Sequence, residues 1–279
     1  MKNLFSKSGF SLAVIICGMA FSSCYKSFDE KSYQPAFTVN GYTSSAEIGA
    51  GSLVGYWSFD GSYVDSVSNV AATSVNTSLA PGFKGKAMQG SATGYVIADL
   101  PAAIKNMNSF TVDYWLKTDN TSGIITPFSI SNTNDFWGAL DMFYENGGRT
   151  GSTANLKIHI KGQSEVWFTN GFITNPWTGF QNIGLTYDAA TSKFVLYQNG
   201  NPVATQEVAG LGNIVFPSGA TKIIFGTEQF QTTPSLGTAG STQGWAGYLA
   251  GQLDEVRVYN KALSASDLQA LIVLQGKGK

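Results

Sequence analysis

From Leu53 onward, apolar and polar residues alternate in short runs separated by Gly, Asn, Ser, Thr and Pro, and a helical period is almost absent before Ser264. Period two sets alternate side chains on opposite faces of an extended strand, so the pattern predicts a succession of β-strands joined by tight turns. The clearest run is residues 253–259. It puts Val256 and Val258 on one face, Glu255, Arg257 and Tyr259 on the other, and Asp254 on the valine side. If that side is the core, the carboxylate has to be neutralised, hydrogen-bonded or held by a cation. Beyond the turn, Ser264 followed three residues later by Asp267 is a capping-box pattern, and Leu268, Leu271 and Ile272 line one stripe of a short closing helix. No period of 20 to 50 residues recurs, which argues against a solenoid or propeller. The expected fold is all-β, a two-sheet antiparallel jelly-roll sandwich with a C-terminal helix, in one domain over residues 53–275.

Upstream the pattern changes twice. Residues 1–24 carry Lys2 and Lys7, an apolar stretch from Phe10 to Phe21, and Ser22-Ser23-Cys24. That is the layout of a targeting segment, and the apolar run is shorter than the roughly 20 residues a membrane span needs. It resembles a bacterial lipoprotein signal, which implies lipidation of Cys24 and a place in the cell envelope, in an outer membrane on its surface or periplasmic face. Residues 25–52 are polar with scattered charge and read as a tether, within which residues 36–42 alternate well enough to form an added strand.

Further segments extend the pattern: YWSFDGSYVDS from Tyr56, GFKGKAMQG from Gly82, SFTVDYWLKT from Ser109, and LTYDAATSKFVLYQNGNPV from Leu185, with its Asn199-Gly200 turn. In this order, and followed by LDEVRVY, they resemble the laminin G-like domains of the concanavalin A-like lectin and glucanase superfamily. The resemblance implies the same sandwich. It does not fix an activity, because one fold hosts many functions.

Composition narrows the chemistry. Charged residues make up 13% of the chain, the net charge is −1, and basic residues do not cluster, so nucleic acid is a poor partner. Both cysteines, Cys17 and Cys24, fall in the targeting segment, so the domain is expected to hold no disulfide and no thiol nucleophile. The single histidine, His159, alternates with Ile158 and Ile160 and shares the face of Lys157 and Lys161, which predicts a solvent-facing strand residue.

The segment WGALDMFYENGG from Trp137 resembles the acid-rich strand of laminarinase-type glucanases, with Asp141 in the central place. Ala139 stands where the first catalytic glutamate belongs, and Phe143 or Tyr144 where the second belongs. Glycosidases need two carboxyls about 5 to 9.5 Å apart, and Asp141 and Glu145 lie about 13 Å apart along a strand. No catalytic residue is therefore assigned. Sugar binding asks only for aromatic rings and hydrogen-bonding groups. On the family pattern the concave sheet offers Asp113 and Trp115 on one strand, Asp141 and Phe143 on another, and Glu165 and Trp167 on a third, with Phe136, Trp137 and Trp177 as walls. Trp115, Trp137, Asp141, Phe143, Trp167 and Trp177 are the carbohydrate-binding candidates, for a polysaccharide or glycoconjugate. The resemblance also implies a structural calcium, with Asp60 and Asp254 as candidate ligands; the competing role for Asp254 is a hydrogen bond to a backbone N–H or a lysine. A glycoside hydrolase or polysaccharide lyase with acids drawn from several strands, and an adhesive protein-binding domain, are the alternative functions.

Overall fold

The computed structural model describes residues 35–119, 123–145 and 152–279, and the fold is that of the unit Phe37–Lys279. Its strands are β1 (Leu53–Trp57), β2 (Ala72–Val75), β3 (Ser78–Pro81), β4 (Lys86–Gln89), β5 (Tyr95–Asp99), β6 (Phe110–Lys117), β7 (Ile125–Ile130), β8 (Leu140–Glu145), β9 (Thr153–Lys161), β10 (Glu165–Thr174), β11 (Gln181–Asp188), β12 (Lys193–Gln198), β13 (Asn201–Glu207), β14 (Lys222–Phe225) and β15 (Gln252–Tyr259). One turn of helix, α1 (Ala102–Lys105), follows β5, and helix α2 (Ala265–Gly276) closes the chain.

Two antiparallel sheets result. The eight-stranded sheet runs β13-β12-β11-β6-β15-β4-β3 with β1 also on β15, and the seven-stranded sheet runs β10-β9-β8-β7-β14-β5-β2. The expected sandwich is therefore the fold. Between the sheets lie Trp57, Phe110, Tyr114, Phe128, Phe168 and Phe225, all fully buried or nearly so, with Phe225 meeting Trp57 edge-on at 5.1 Å. Each such ring removes some 150–250 Å² of surface from water, a driving force of several kcal/mol at about 25 cal/mol per Å².

Strand β15 joins the two ends of the domain. Along one edge it pairs with β6. Along the other, Gln252 and Leu253 pair with β4, and from Val256 onward the partner is β1. The register slips between Asp254 and Arg257, where Glu255 adopts a φ of 51°. This is a β-bulge, and one extra residue inverts the facing of everything beyond it. Leu253, Val256 and Val258 all point into the core, while Asp254, Glu255, Arg257 and Tyr259 occupy the outer face. The expected placing of Asp254 on the valine side is thus corrected.

That outer face is not left to water. Helix α2, capped by the Ser264 hydroxyl, which accepts the Asp267 N–H at 3.1 Å, lays Leu268, Leu271 and Leu274 onto it together with Tyr259, Tyr197 and Ile48. Ile48 is 1% exposed, Ser45 accepts from Arg257, and the Tyr42 hydroxyl donates to Asp267. The stretch from Val39 to Ser52, expected to be tether, therefore packs as part of the folded unit, which also runs on to Lys279, whose carbonyl accepts the Ser45 N–H. Residues 1–24, with Cys24, lie outside the described residues. Among the described residues no helix is long and apolar enough to cross a membrane.

Candidate functional site

The outer face of the seven-stranded sheet is different. Leu140, Met142 and Tyr144 of β8 point into the core, so alternation sends Asp141, Phe143 and Glu145 outward. Register then sets Ser129, Asp141, His159 and Trp167 in one row across β7, β8, β9 and β10. Two covering segments complete the face: residues 131–139 between β7 and β8, and residues 226–251 between β14 and β15.

These segments bring aromatic rings to the row. Trp137 lies parallel to Phe143 with centroids 5.2 Å apart and an interplanar angle of 7°, and Trp167 meets Trp137 edge-on at 5.4 Å. Phe136, Phe230 and Trp245 continue the cluster, with Trp245 5.8 Å from Trp137 and 5.3 Å from Phe230. Phe230 and Phe143 are buried as the floor. Trp137 and Trp167 are half-buried and Trp245 is 42% exposed, so these rings reach solvent. The rim carries opposed charges: Lys157 pairs with Glu145, and Lys161 lies 3.5 Å from Asp135 and 3.3 Å from Glu165.

Under the rings runs a chain of ionisable groups. His159 Nδ1 lies 2.9 Å from Asp141 Oδ2, and its Nε2 lies 3.1 Å from Glu165 Oε1. Glu228, from the covering segment, lies against Asp141 and accepts from the Thr126 hydroxyl at 2.8 Å. Asp141, His159 and Glu228 have no solvent exposure. Burial raises the pKa of Glu228 well above the usual carboxylate range, helped by the charge of Asp141, and burial likewise raises Asp141. Burial also lowers His159 against the pull of Glu165. Glu165 is the reverse case: partial burial pushes it up, but hydrogen bonds from Lys161 and His159 outweigh that and hold its pKa below normal.

Of the sequence candidates, Trp137, Asp141, Phe143 and Trp167 come together on this face. Trp115 does not. It sits with Asp113 on β6 in the opposite sheet, 6% exposed beneath α2, stacked on Phe83 at 3.5 Å and donating its Nε1–H to Gln275 Oε1 at 2.8 Å. Trp177 is also elsewhere, packed on the core edge against Tyr144. His159, expected at the surface, is buried, because its outward direction leads under a covering segment rather than into water. Glu228, Phe230 and Trp245 were not foreseen. They fall in a glycine- and threonine-rich stretch with no period, whose one signal is the presence of large aromatic residues in it.

The proposed calcium ligands have other work. Asp60 Oδ1 accepts the Lys86 N–H at 2.8 Å, and Asp254 accepts the N–H groups of Lys84 at 3.0 Å and Glu255 at 2.8 Å. The backbone N–H role for Asp254 is the one the geometry gives. Among the described residues no three His, Cys, Asp or Glu side chains are grouped to hold a metal ion.

A sequence profile described as the concanavalin A-like lectin/glucanases superfamily matches residues 89–269, and the chain belongs to that superfamily. Solved structures share the fold at low identity. The binding domain of Paraclostridial Mosquitocidal Protein 1 aligns with a TM-score of 0.58 at 16% identity, covering 80% of this chain and 52% of that one. Botulinum neurotoxin type C, described as depending for cell entry on two ganglioside molecules, gives 0.58 at 18% identity, covering 82% and 52%. The ligand-binding domain of botulinum neurotoxin serotype D in complex with N-acetylneuraminic acid gives 0.56 at 15% identity, covering 84% and 52%. The chain thus spans about half the length of these structures. No curated protein matches it as a relative.

Proposed function

We propose that the domain is a non-catalytic, lectin-like module that binds a polysaccharide or glycoconjugate, and that lipid on Cys24 holds it at the cell envelope, in an outer membrane. The carrying observation is the ring platform of Trp137, Trp167 and Trp245 over Phe143 and Phe230, open to solvent on one side. Sugar rings present flat C–H faces that stack on such surfaces, while the rim of Lys157, Glu145, Lys161 and Asp135 offers partners for hydroxyls. An adhesive sheet would be expected to present a flat polar face instead, without such a platform.

Hydrolysis is the weaker reading for a specific reason. A glycosidase needs one protonated and one ionised carboxyl, both touching the substrate. Here the raised carboxyls, Asp141 and Glu228, are sealed from solvent, and the accessible Glu165 has its pKa lowered by Lys161 and His159. The His159 ring stands between Glu165 and Asp141, so the two do not face a common substrate.

A broad glycan array probed with the purified chain tests the binding. At least one glycan is bound, Trp137→Ala and Trp167→Ala each weaken it tenfold or more, about 1.4 kcal/mol or above, and prolonged incubation releases no new reducing ends. Silence across the array ends the lectin reading. Cys24→Ala should move the chain from the membrane fraction to the soluble one; an unchanged distribution removes the anchor.

A further inference from the structure

Glu228 is the only charged residue between Gly226 and Gly251, the segment that covers the site, and it is fully buried. A lone carboxyl in such a segment would ordinarily face water, since burying it ionised is costly. Instead it turns inward onto Asp141 of β8, which is equally buried. Two of the four oxygens are accounted for: Glu228 Oε1 accepts from Thr126, and Asp141 Oδ2 faces His159. The remaining two, Glu228 Oε2 and Asp141 Oδ1, have no other partner. Two bare acceptors on adjoining acids are satisfied together by one hydrogen.

We infer that Glu228 and Asp141 share one proton, and that this proton latches residues 226–251 onto the seven-stranded sheet, so that its loss at alkaline pH loosens the segment and withdraws Trp245 and Phe230 from the platform.

Apart from the backbone of Gly138, which hydrogen-bonds to Asp141, the surroundings supply no donor and no cation to replace the proton. From β7 the pair meets the neutral Thr126 hydroxyl, and from β9 it meets His159, whose pKa burial lowers. Glu165 of β10 lies beyond the imidazole, and Lys161 is already engaged by Asp135 and Glu165. Burial and mutual repulsion both raise Glu228 well above the usual carboxylate range, which favours the shared proton. Most of the segment's other fastenings are amide and backbone bonds: Gln229 holds the N–H of Asn132 and the carbonyls of Asn132, Asp135 and Phe136, and Ala246 bridges to Ile124. Two are phenols: the hydroxyl of Tyr248 donates to the Gln231 carbonyl, its pKa raised by burial, and the hydroxyl of Tyr95 accepts the Thr233 N–H at 2.9 Å. Glu228 is the one carboxyl among these fastenings.

This inference rests on the lectin reading only for its consequence, since the latch itself can be measured without a glycan. Hydrogen exchange of peptides from residues 226–251, corrected for intrinsic base catalysis, is followed from pH 6.5 to 9. In the wild-type chain, protection of these peptides falls tenfold or more across the window while the core strands keep theirs. In Glu228→Gln, the carboxamide donates to Asp141 and accepts from Thr126 at every pH, so protection stays flat. Asp141→Asn, donating in the other direction, gives the same flat profile and stands in if the first variant folds poorly. Wild-type protection that does not change with pH, or that falls equally in a folded carboxamide variant, overturns the latch. A chain that unlatches yet binds no glycan overturns the lectin reading alone, and one that binds glycan without unlatching overturns the latch alone.

Discussion

Arg257 is 3% exposed, and its guanidinium donates to Glu255 Oε2 at 3.1 Å and to the Ser45 carbonyl at 3.0 Å, with its carbon 4.4 Å from the Tyr56 ring centre. Glu255 in turn accepts from Tyr56 at 2.7 Å and from Gln275 at 3.0 Å, and Gln275 accepts from Trp115. One buried ion pair thus ties β1, β15, the segment before β1 and helix α2 together. Two charges withdrawn from water add little net stability as a pair, but removing one leaves the other stranded. Arg257→Met should therefore destabilise the domain by about 3–5 kcal/mol in urea unfolding. A loss under about 1 kcal/mol would show that Lys84, whose Nζ lies 3.8 Å from Glu255 Oε1, takes over as its partner. Trp115 belongs to this network, which is why a residue with the right chemistry for a sugar ring has no sugar to meet.

At the scale of elements, the turn between β3 and β4 explains its own sequence, GFKGK. Asp60 from one side and Asp254 from the other reach into it and accept backbone N–H groups. A side chain at Gly85, whose φ is 64°, would land inside the Asp60 carboxylate, and one at Gly82 would strike Asp254. One oxygen of Asp60 and both oxygens of Asp254 thus have backbone partners without a cation. Melting curves with added calcium or with a chelator should therefore superimpose, and a rise with calcium would reinstate a metal at this turn. Alternation was enough to announce a succession of strands and the capped helix; the family resemblance, not the period, put Asp141, Phe143 and Trp167 outward on one sheet with Trp137 as a wall, and it wrongly added Trp115 to them. Alternation was blind to the Glu255 bulge, because inserting one residue leaves composition and apparent period intact. It also equated outward with wet. His159 does face outward, but no period announces that Trp137 and Trp167 close over it or that Glu228 comes down on Asp141, so the burial of His159 and Asp141 was not legible.

The whole molecule buries more acid than it pairs. Asp113, under α2, has its pKa raised to about 7 by burial, with Asn182 and Arg257 pulling the other way; Asp254 is raised to about 7 by burial despite its N–H partners; Asp141 and Glu228 are raised as well. Asp113, Asp254 and the Asp141–Glu228 pair each hold one proton that the unfolded chain, with carboxyls near 4, releases. The native state then binds more protons than the unfolded state between about pH 4 and 7, so this contribution to stability is complete below pH 4 and drains away as pH rises through 7. His159 works in the opposite sense. Its pKa is lowered by burial, so its contribution is present above the ordinary imidazole range and lost as pH falls through the depressed value. Three such protons outweigh one base, which places the stability maximum on the mildly acidic side. Thermal melts should give a midpoint at pH 5.5 at least about 4 °C above that at pH 8.5, the equivalent of 1–2 kcal/mol in a domain of this size. Asp113→Asn, remote from the covering segment, should shrink that gap without altering exchange in residues 226–251. A midpoint that climbs between pH 5.5 and 8.5 would mean that these carboxyls are ionised in the fold and find partners there that their geometry does not supply.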